Sequence, residues 1–296
     1  MTLEQLRIFV AVAEREHVTR AAGDLNLTQS ATSAAVAALE ARYQTKLFDR
    51  VGRRISLTDA GRLFLAEAKA VLARATAAEL VLADLAGLKV GSLGLAASQT
   101  VGNYWLPRFI HAFHAAHPGI AVTLTIGNTE TVAAMVRDGE ANLGFVEGPV
   151  EEQALTTTVV AEDEMVLVAP SKHDWVGARK RGKLDLTSAR WVLRELGSGT
   201  RSILEPLLKR EGIALAALDV SLVMPTNESV RAAVEAGAGV TVLSRLVVDK
   251  AIRTGTLAVV DHPVPRRPFT MLRHNDRYVT ASEKEFVKLI GALAGR

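Results

Sequence analysis

With 296 residues the chain has room for one to three domains and a substantial core. A hydrophobic share of 49% and a charged share of 23% are those of an ordinary soluble globular protein, and no apolar run is long enough to cross a bilayer. The lack of cysteine excludes disulfides and thiolate-bound metals and is compatible with a reducing cytoplasm, while a net charge of +3 is too small to name a partner by itself. The N-terminus carries Glu4 and Arg7 inside its first helical pattern rather than the basic-then-apolar order of a signal peptide, so a cytoplasmic location with no membrane association is expected.

Leu3 to Glu14 is apolar with helical periodicity, and Val18 to Leu25 reads as a second, short helix. The turn Asn26-Leu27 leads into Thr28-Gln29-Ser30-Ala31-Thr32-Ser33, which opens a third helix running to about Arg42. Leu6, Phe9, Val10, Ala13, Ala21, Ala22, Leu25, Leu27, Val36 and Leu39 form the expected buried seam, and the small Ala21, Ala22 and Gly23 let two helices approach closely. A basic hairpin, Leu47 to Leu57, follows. This is the order of a winged helix-turn-helix, whose third helix enters the DNA major groove by its N-terminal end. Thr28 is placed to cap that helix, satisfying an orphan backbone N–H. Gln29, Ser30, Thr32 and Ser33 are then presented to bases or phosphates, and a glutamine can pair bidentately with adenine. Arg50, Arg53 and Arg54 on the wing suit phosphates or the minor groove. Residues 1–58 hold eight Lys and Arg against six Asp and Glu. So small an excess implies weak binding by one copy, and a homodimer or homotetramer is expected to supply the phosphate contacts.

Between Thr58 and Gly87 there is no proline, and Gly61 is the only glycine before the end. Thr58 can cap, and Asp59 sits in the positive first turn. Phe64, Ala68, Val71, Ala75, Ala78, Leu82 and Leu85 recur at alternating spacings of four and three, which is a heptad-like seam. A helix lying on its own domain's core would show the same spacing. A dimerisation helix joining the DNA-binding part to the rest is the preferred reading.

Leu3-Glu4-Gln5-Leu6-Arg7-Ile8-Phe9, Ala21-Ala22 through Gln29-Ser30-Ala31, Leu39-Glu40 to Leu47-Phe48-Asp49-Arg50, and Leu57-Thr58-Asp59-Ala60-Gly61 come in fixed order. On these residues the chain resembles a LysR-type transcriptional regulator over its whole length. From about Lys89, short apolar runs alternate with helical patterns, which suggests a parallel α/β sheet. Strands are expected at Leu93–Ala97, Ile120–Ile126, Leu143–Val146, Met165–Ala169, Val220–Val223, Val240–Leu243 and Ala258–Val260. Helices are expected at Tyr104–Ala116, Glu130–Asp138, Ser202–Glu211, Val230–Ala236 and Ser282–Leu293. The resemblance implies a fold that is α+β overall. Its parts are a winged helix-turn-helix (1–58), a linker helix (59–88) and an α/β effector-binding domain (89–296) like a periplasmic solute-binding protein. That last domain would have two subdomains, about 89–161 with 267–296, and 162–266.

Ligands of open α/β sheets bind beyond the carboxyl ends of strands. Ser98, Thr100, Gly102 and Asn103 follow the first such strand, and Ser198, Gly199, Thr200 and Arg201 lead into a helix of the second subdomain. Free N–H groups at helix starts suit a small anion. Phe145 to Pro149, with Glu147 and Gly148, is placed at the crossing between subdomains, and Asn227 opens a further helix. Ser and Thr at helix starts are also ordinary caps, and convergence of two such starts on one cleft comes from the resemblance. A carboxylate at Glu147 would repel an anion. It is expected to pair with Arg201, to bind a cationic part of the ligand, or to close the cleft.

Gly102-Asn103-Tyr104 with Leu106-Pro107, Gly127-Asn128-Thr129, Glu147-Gly148-Pro149 and Gly197-Ser198-Gly199-Thr200-Arg201 look like the branch of regulators of carbon-dioxide-fixation and sulfur-assimilation operons. That implies an oxyanion or phosphorylated metabolite as effector, including a sulfite- or sulfate-like anion; the alternative is a cationic or zwitterionic metabolite. The partners implied are double-stranded promoter DNA, the effector and, for an activator, RNA polymerase, with no cofactor and no metal. His111, His114 and His117 read as solvated helix surface, and no nucleophile–base pair, P-loop or dinucleotide fingerprint appears, so an enzyme is not expected. A solute-binding protein with an N-terminal oligomerisation module is the alternative class, which would carry an export signal and would not require the wing arginines.

Overall fold

The computed structural model describes residues 1–51, 54–85, 91–177 and 184–294, with backbone alone at 50, 51, 54, 80, 83–85 and 294. The chain divides into two compact units, one centred on Met1–Ala86 and the other on Gly87–Arg137 with Ala141–Arg296.

The first unit opens with helices α1 (Leu3–Arg15), α2 (Val18–Asp24) and α3 (Gln29–Tyr43). Thr2 and Gln5 form a capping box on α1, and Thr28 Oγ1 accepts from the Ala31 N–H at 3.2 Å on α3. Between α2 and α3, Asn26 takes a left-handed backbone (φ 54°), which its short polar side chain tolerates. Leu6, Phe9, Ala13, Ala21, Ala22, Val36 and Leu39 are buried as the periodicity predicts, with Val10, Leu25 and Leu27 partly so. Ile8 and Val12 are buried as well. Strands β1 (Phe48–Val51) and β2 (Arg54–Leu57) pair antiparallel as the wing. Glu40 ties α3 to that wing, accepting from the N–H groups of Leu47 and Phe48 at 2.7 and 3.2 Å.

Helix α4 (Asp59–Leu85) begins where Thr58 caps the Gly61 N–H at 2.9 Å. A Cβ on Gly61 would stand 2.1 Å from the Leu47 carbonyl oxygen, so only glycine fits there. The seam read along this helix is divided. Phe64 and Ala68 pack into the unit's own core, Phe64 with its ring 4.8 Å from that of Phe9, whereas Val71 and Leu82 are exposed together with Leu63. The reading as a helix on its own domain's core therefore holds for Phe64 and Ala68 and not for Val71 and Leu82. The Leu85 side chain lies outside those described.

The second unit holds a five-stranded sheet in the order β4-β3-β5-β12-β6, formed by β3 (Gly91–Ser98), β4 (Ile120–Gly127), β5 (Leu143–Val146), β6 (Leu155–Asp163) and β12 (Arg267–His274). Strands β3, β4 and β5 run parallel, and β12 is antiparallel to both β5 and β6. A π-helical turn (Val101–Trp105) and helices α5 (Pro107–Ala116), α6 (Thr129–Asp138) and α11 (Ala281–Ala294) accompany it. Its core is aromatic, with Trp105, Phe109, Phe113, Phe145, Phe269 and Phe286 buried together.

The other subdomain has β7 (Met165–Pro170) between β10 (Thr241–Ser244) and β11 (Leu257–Val259), and β8 (Arg190–Arg194) parallel to β9 (Asp219–Met224). A bridge between Trp191 and Val240 joins the two groups. Helices α7 (Gly199–Ser202), α8 (Leu204–Glu211), α9 (Asn227–Glu235) and α10 (Arg245–Arg253) surround them. The chain leaves the first sheet after Asp163 and re-enters it at Arg267. The segment Phe145–Pro149 is therefore not a crossing, contrary to expectation: β5 passes by a loop into β6, which belongs to the same sheet.

Candidate functional site

On the first unit, the start of α3 exposes Gln29 and Ser30 and half-exposes Ser33. Gln29 Nε2 donates to Ser33 Oγ at 3.1 Å, and the hydroxyls of Thr28 and Ser30 lie 3.1 Å apart. Thr32 departs from the expected set. Its side chain is fully buried, and its hydroxyl donates to the Thr28 carbonyl one turn back at 3.1 Å, so it is spent inside the domain. Of the wing arginines, Arg53 lies outside the described residues, and Arg50 and Arg54 are placed by backbone alone, in β1 and β2.

In the second unit, the residues singled out at strand ends meet between the two subdomains, around an arginine that their sequence pattern did not reveal. Arg267, the first residue of β12, is 3% exposed. Its Nε and Nη2 lie 2.8 and 2.7 Å from Asp163 Oδ2, at the last residue of β6. Nη2 donates to Thr100 Oγ1 at 3.1 Å and Nη1 to Thr200 Oγ1 at 3.2 Å, while Nη1 stands 3.7 Å from Glu147 Oε1. One guanidinium thus touches both chain crossings and both subdomains. Asp163 also accepts from Ser244 Oγ at 2.6 Å.

Asn227, fully buried at the first position of α9, completes the cluster. Its Nδ2 donates to Thr100 Oγ1 at 3.0 Å, and its Oδ1 accepts from Thr200 Oγ1 at 3.3 Å and from Arg194 Nη1. Arg194 is itself buried and makes a bidentate pair with Glu195, at 2.7 and 2.8 Å. Gln99 spans the cleft with its amide, donating to the Pro225 carbonyl at 3.0 Å and accepting from the Asn227 N–H at 2.9 Å. Nearby, Asn103 and Tyr104 donate to Glu228 at 3.5 and 2.9 Å. Burial and that bond to Glu228 push the Tyr104 hydroxyl up to about 12.

Glu147 points into this cluster. It pairs with Arg267 and not with Arg201, whose Nη1 is donated to the Arg194 carbonyl at 3.0 Å. Burial pushes the Glu147 carboxyl above the ordinary range; Arg267 and a hydrogen bond from Thr100 pull it back, and Asp163 adds to the rise. Its Oε2 is buried without a hydrogen-bond partner. Ser98 is buried with its hydroxyl 3.4 Å from the Phe145 carbonyl, and Gly102 is buried in the π-helical turn, so neither reaches solvent.

An open pocket of about 500 Å³ lies beside the cluster. Of the expected residues, Gly148, Ser198, Gly199 and Arg201 line it; Thr100, Glu147, Thr200 and Asn227 stand outside its lining, in the buried network. The pocket adds Thr129, the first residue of α6, whose hydroxyl is buried without a partner. Gly148 and Gly199 close the wall between them: a Cβ on Gly199 would stand 2.7 Å from both the Gly148 nitrogen and Thr129 Oγ1. Thr129 was legible, because it ends the Gly127-Asn128-Thr129 motif at a helix start. Arg267 and Asp163 carried no local signal, since each owes its place to the pairing of β12 with β6.

The comparisons agree with this architecture. Residues 3–62 match the model of the bacterial regulatory helix-turn-helix protein, lysR family, and residues 86–294 match that of the LysR substrate binding domain. The chain is 34% identical over 290 residues to the uncharacterized HTH-type transcriptional regulator YeiE of Escherichia coli (strain K12), covering 97% of this chain and 96% of that protein. It is 32% identical over 292 residues to the RuBisCO operon transcriptional regulator of Allochromatium vinosum, covering 97% and 95%. The solved CcmR regulatory domain of Synechocystis PCC6803, in complex with 2-PG, is 26% identical, covers 69% of this chain and 97% of its own, and superposes with a TM-score of 0.63. Among the described residues no helix is long and apolar enough to cross a membrane. With a helix-turn-helix at one end and a substrate-binding domain over the rest, the chain belongs to the LysR family of transcriptional regulators, which are DNA-binding proteins and not enzymes.

Proposed function

We propose that this regulator binds promoter DNA as a homodimer or homotetramer and is controlled by a small metabolite with an anionic group, seated in the pocket between Thr129, Gly148 and Gly199. The observation that carries this reading is the Thr129 hydroxyl, buried with no partner at the start of α6, in a residue that lines a pocket of about 500 Å³. A buried polar group without a partner is costly, and a ligand oxygen would relieve it. The helix start adds backbone N–H groups and the positive end of its dipole, and Ser198 adds a second hydroxyl.

Volume bears on the effector's size. A cavity of about 500 Å³ falls within the range of sites for organic ligands and is far larger than a bare sulfite or sulfate needs. That favours an organic anion over the sulfite- or sulfate-like ion, and 2-PG in the similar CcmR regulatory domain lends support. The buried Arg267 cluster supports a role in closure for the remaining residues. The cluster joins both subdomains, so an effector that binds the closed arrangement better than the open one shifts the balance between them.

On the DNA side, Gln29, Ser30 and Ser33 are assigned to base and phosphate contacts, with Thr28 as cap. Arg50, Arg53 and Arg54 are assigned to the phosphates or the minor groove. Thermal unfolding of the full chain against a panel of organic phosphates and carboxylates tests the pocket. A ligand at one hundred times its Kd adds about 2.7 kcal/mol. Thr129→Val should remove that shift and leave binding to DNA intact; a shift undiminished by the variant would place the effector elsewhere.

A further inference from the structure

The mouth of the pocket carries the sign opposite to the one a bare anion requires. Glu130, Glu151, Glu152 and Glu205 line it against Arg137 and Arg201, an excess of two negative charges. Both cations are engaged, Arg137 with Glu152 at 3.4 Å and Arg201 with the Arg194 carbonyl at 3.0 Å. Glu130, Glu151 and Glu205 are exposed and have no basic partner among the described residues. They stand on both lips of the cleft. Glu130, in the first turn of α6, brings its Oε2 within 2.6 Å of where a Cβ would sit on Gly197, in the loop that opens α7, and Glu205 belongs to α8 on the far side. The inner end has the other polarity, with the start of α6 and the unpartnered, buried hydroxyl of Thr129.

Resting on the pocket reading above, we infer that the effector is a small zwitterion, with its anionic group at Thr129 and an ammonium group between Glu130 and Glu205. A dianion without an amine would meet the uncompensated carboxylates at the mouth. A molecule that presents both charges a few ångströms apart satisfies both ends of the pocket. Amino acids and amine-bearing phosphate monoesters have this chemistry.

Calorimetric titration of the full chain with two matched pairs of probes tests the inference. The pairs are O-phosphoethanolamine with 2-hydroxyethyl phosphate, and β-alanine with 3-hydroxypropionate, each differing only by amine against hydroxyl. With an ammonium about 5 Å from each of two carboxylates in a water-like dielectric, the amine member of at least one pair should bind about fifteenfold tighter at low salt and about fivefold tighter at physiological ionic strength. The preference should shrink as ionic strength rises. The double variant Glu130→Gln, Glu205→Gln should abolish it while leaving the hydroxyl member's affinity unchanged or improved. Equal or tighter binding of the hydroxyl members would overturn the zwitterion and leave the pocket standing. A preference that survives the double variant would overturn it too, by placing the amine elsewhere. Binding of none of the four probes, in protein that is folded and still binds DNA, would remove the pocket reading and the inference together.

Discussion

Replacing Arg267 by methionine keeps the bulk of the side chain and removes the charge at the centre of the buried cluster. Asp163 and Glu147, 2% and 4% exposed, would then share the space with no cation between them, because Arg194 is committed to Glu195 and Asn227. Removing one partner of a buried pair costs about 3–5 kcal/mol, since it leaves an uncompensated charge in a poor solvent. Against a total stability of about 5–15 kcal/mol, that is a fifth or more of what holds a domain folded. The assay is urea unfolding followed by tryptophan emission, because all three tryptophans (Trp105, Trp175, Trp191) lie in the second unit and none reports on the helix-turn-helix. With a denaturant dependence of about 2–3 kcal/mol per molar, the midpoint should fall by about 1–2 M. Adding Asp163→Asn and Glu147→Gln to Arg267→Met should recover much of the loss, since the orphaned charges are gone. A midpoint lowered by less than about 0.3 M in the single variant would show that water or neighbouring groups already solvate the cluster, and the argument from burial would fail.

At Gly199, an added Cβ meets the backbone nitrogen of Gly148 and the hydroxyl of Thr129, both at 2.7 Å, and backbone cannot rotate aside. Gly199→Ala should hold the cleft apart at a cost of about 1–3 kcal/mol and abolish effector-dependent stabilisation, with DNA affinity in the absence of effector kept; a normal thermal shift would refute it. At the start of α3, Gln29→Ala should lower discrimination between a cognate site and random DNA, whereas Thr32→Val should lose only the buried hydrogen bond, about 1 kcal/mol, and keep full discrimination in a binding competition. The reverse ranking would mean that the recognition surface is not the one described.

The helix-turn-helix was legible because its physics is local. Capping at Thr28, the turn at Asn26 and the apolar spacing of α1 and α3 each act within a few residues, and the elements fall within one or two residues of expectation. Three strands of the second unit, β6, β8 and β12, are not expected from the sequence, and for β6 and β12 the reason is that their identity depends on distant partners. Strand β6 is a half-exposed edge rich in threonine, with neither alternation nor a continuous apolar run. Strand β12 opens with Arg267-Pro268, and a proline within a run argues against a central strand. It nevertheless lies between β5 and β6, with an irregular register at Phe269 and Thr270. Losing β12 from the reading also lost Arg267. The hydroxyls it joins, Thr100 and Thr200, therefore read in the sequence as direct ligands of the effector, although both bond to the arginine. The pocket's acidic mouth escaped for the same reason, because Glu130 and Glu205 are 75 positions apart in sequence and meet only across the folded cleft.

Glu147 separates two physical accounts of the cluster, one in which its charge stabilises the fold through Arg267 and one in which burial outweighs that attraction. Its guanidinium neighbour is at 3.7 Å, a longer approach than the 2.7 Å to Asp163, and Oε2 has no hydrogen bond at all. Burial is the largest influence on its carboxyl and raises it, so the folded chain holds the Glu147 proton to higher pH than the unfolded chain does. Wherever the folded state binds more protons, stability falls as pH rises. The contribution of this group is therefore fully present below the ordinary glutamate value of about 4.3 and is lost as pH climbs through the raised value. Glu147→Gln keeps the shape and removes the titration. Relative to the parent, the variant should gain stability at pH 7.5, and the gain should shrink as the pH is lowered towards 4.5. Urea midpoints by tryptophan emission at a series of pH values measure the difference directly. A variant less stable than the parent at pH 7.5, with the gap closing on acidification, would mean that the ion pair with Arg267 outweighs the cost of burial. Glu147 would then belong with Asp163 as a strut of the closed cleft, and not as the charge that strains it.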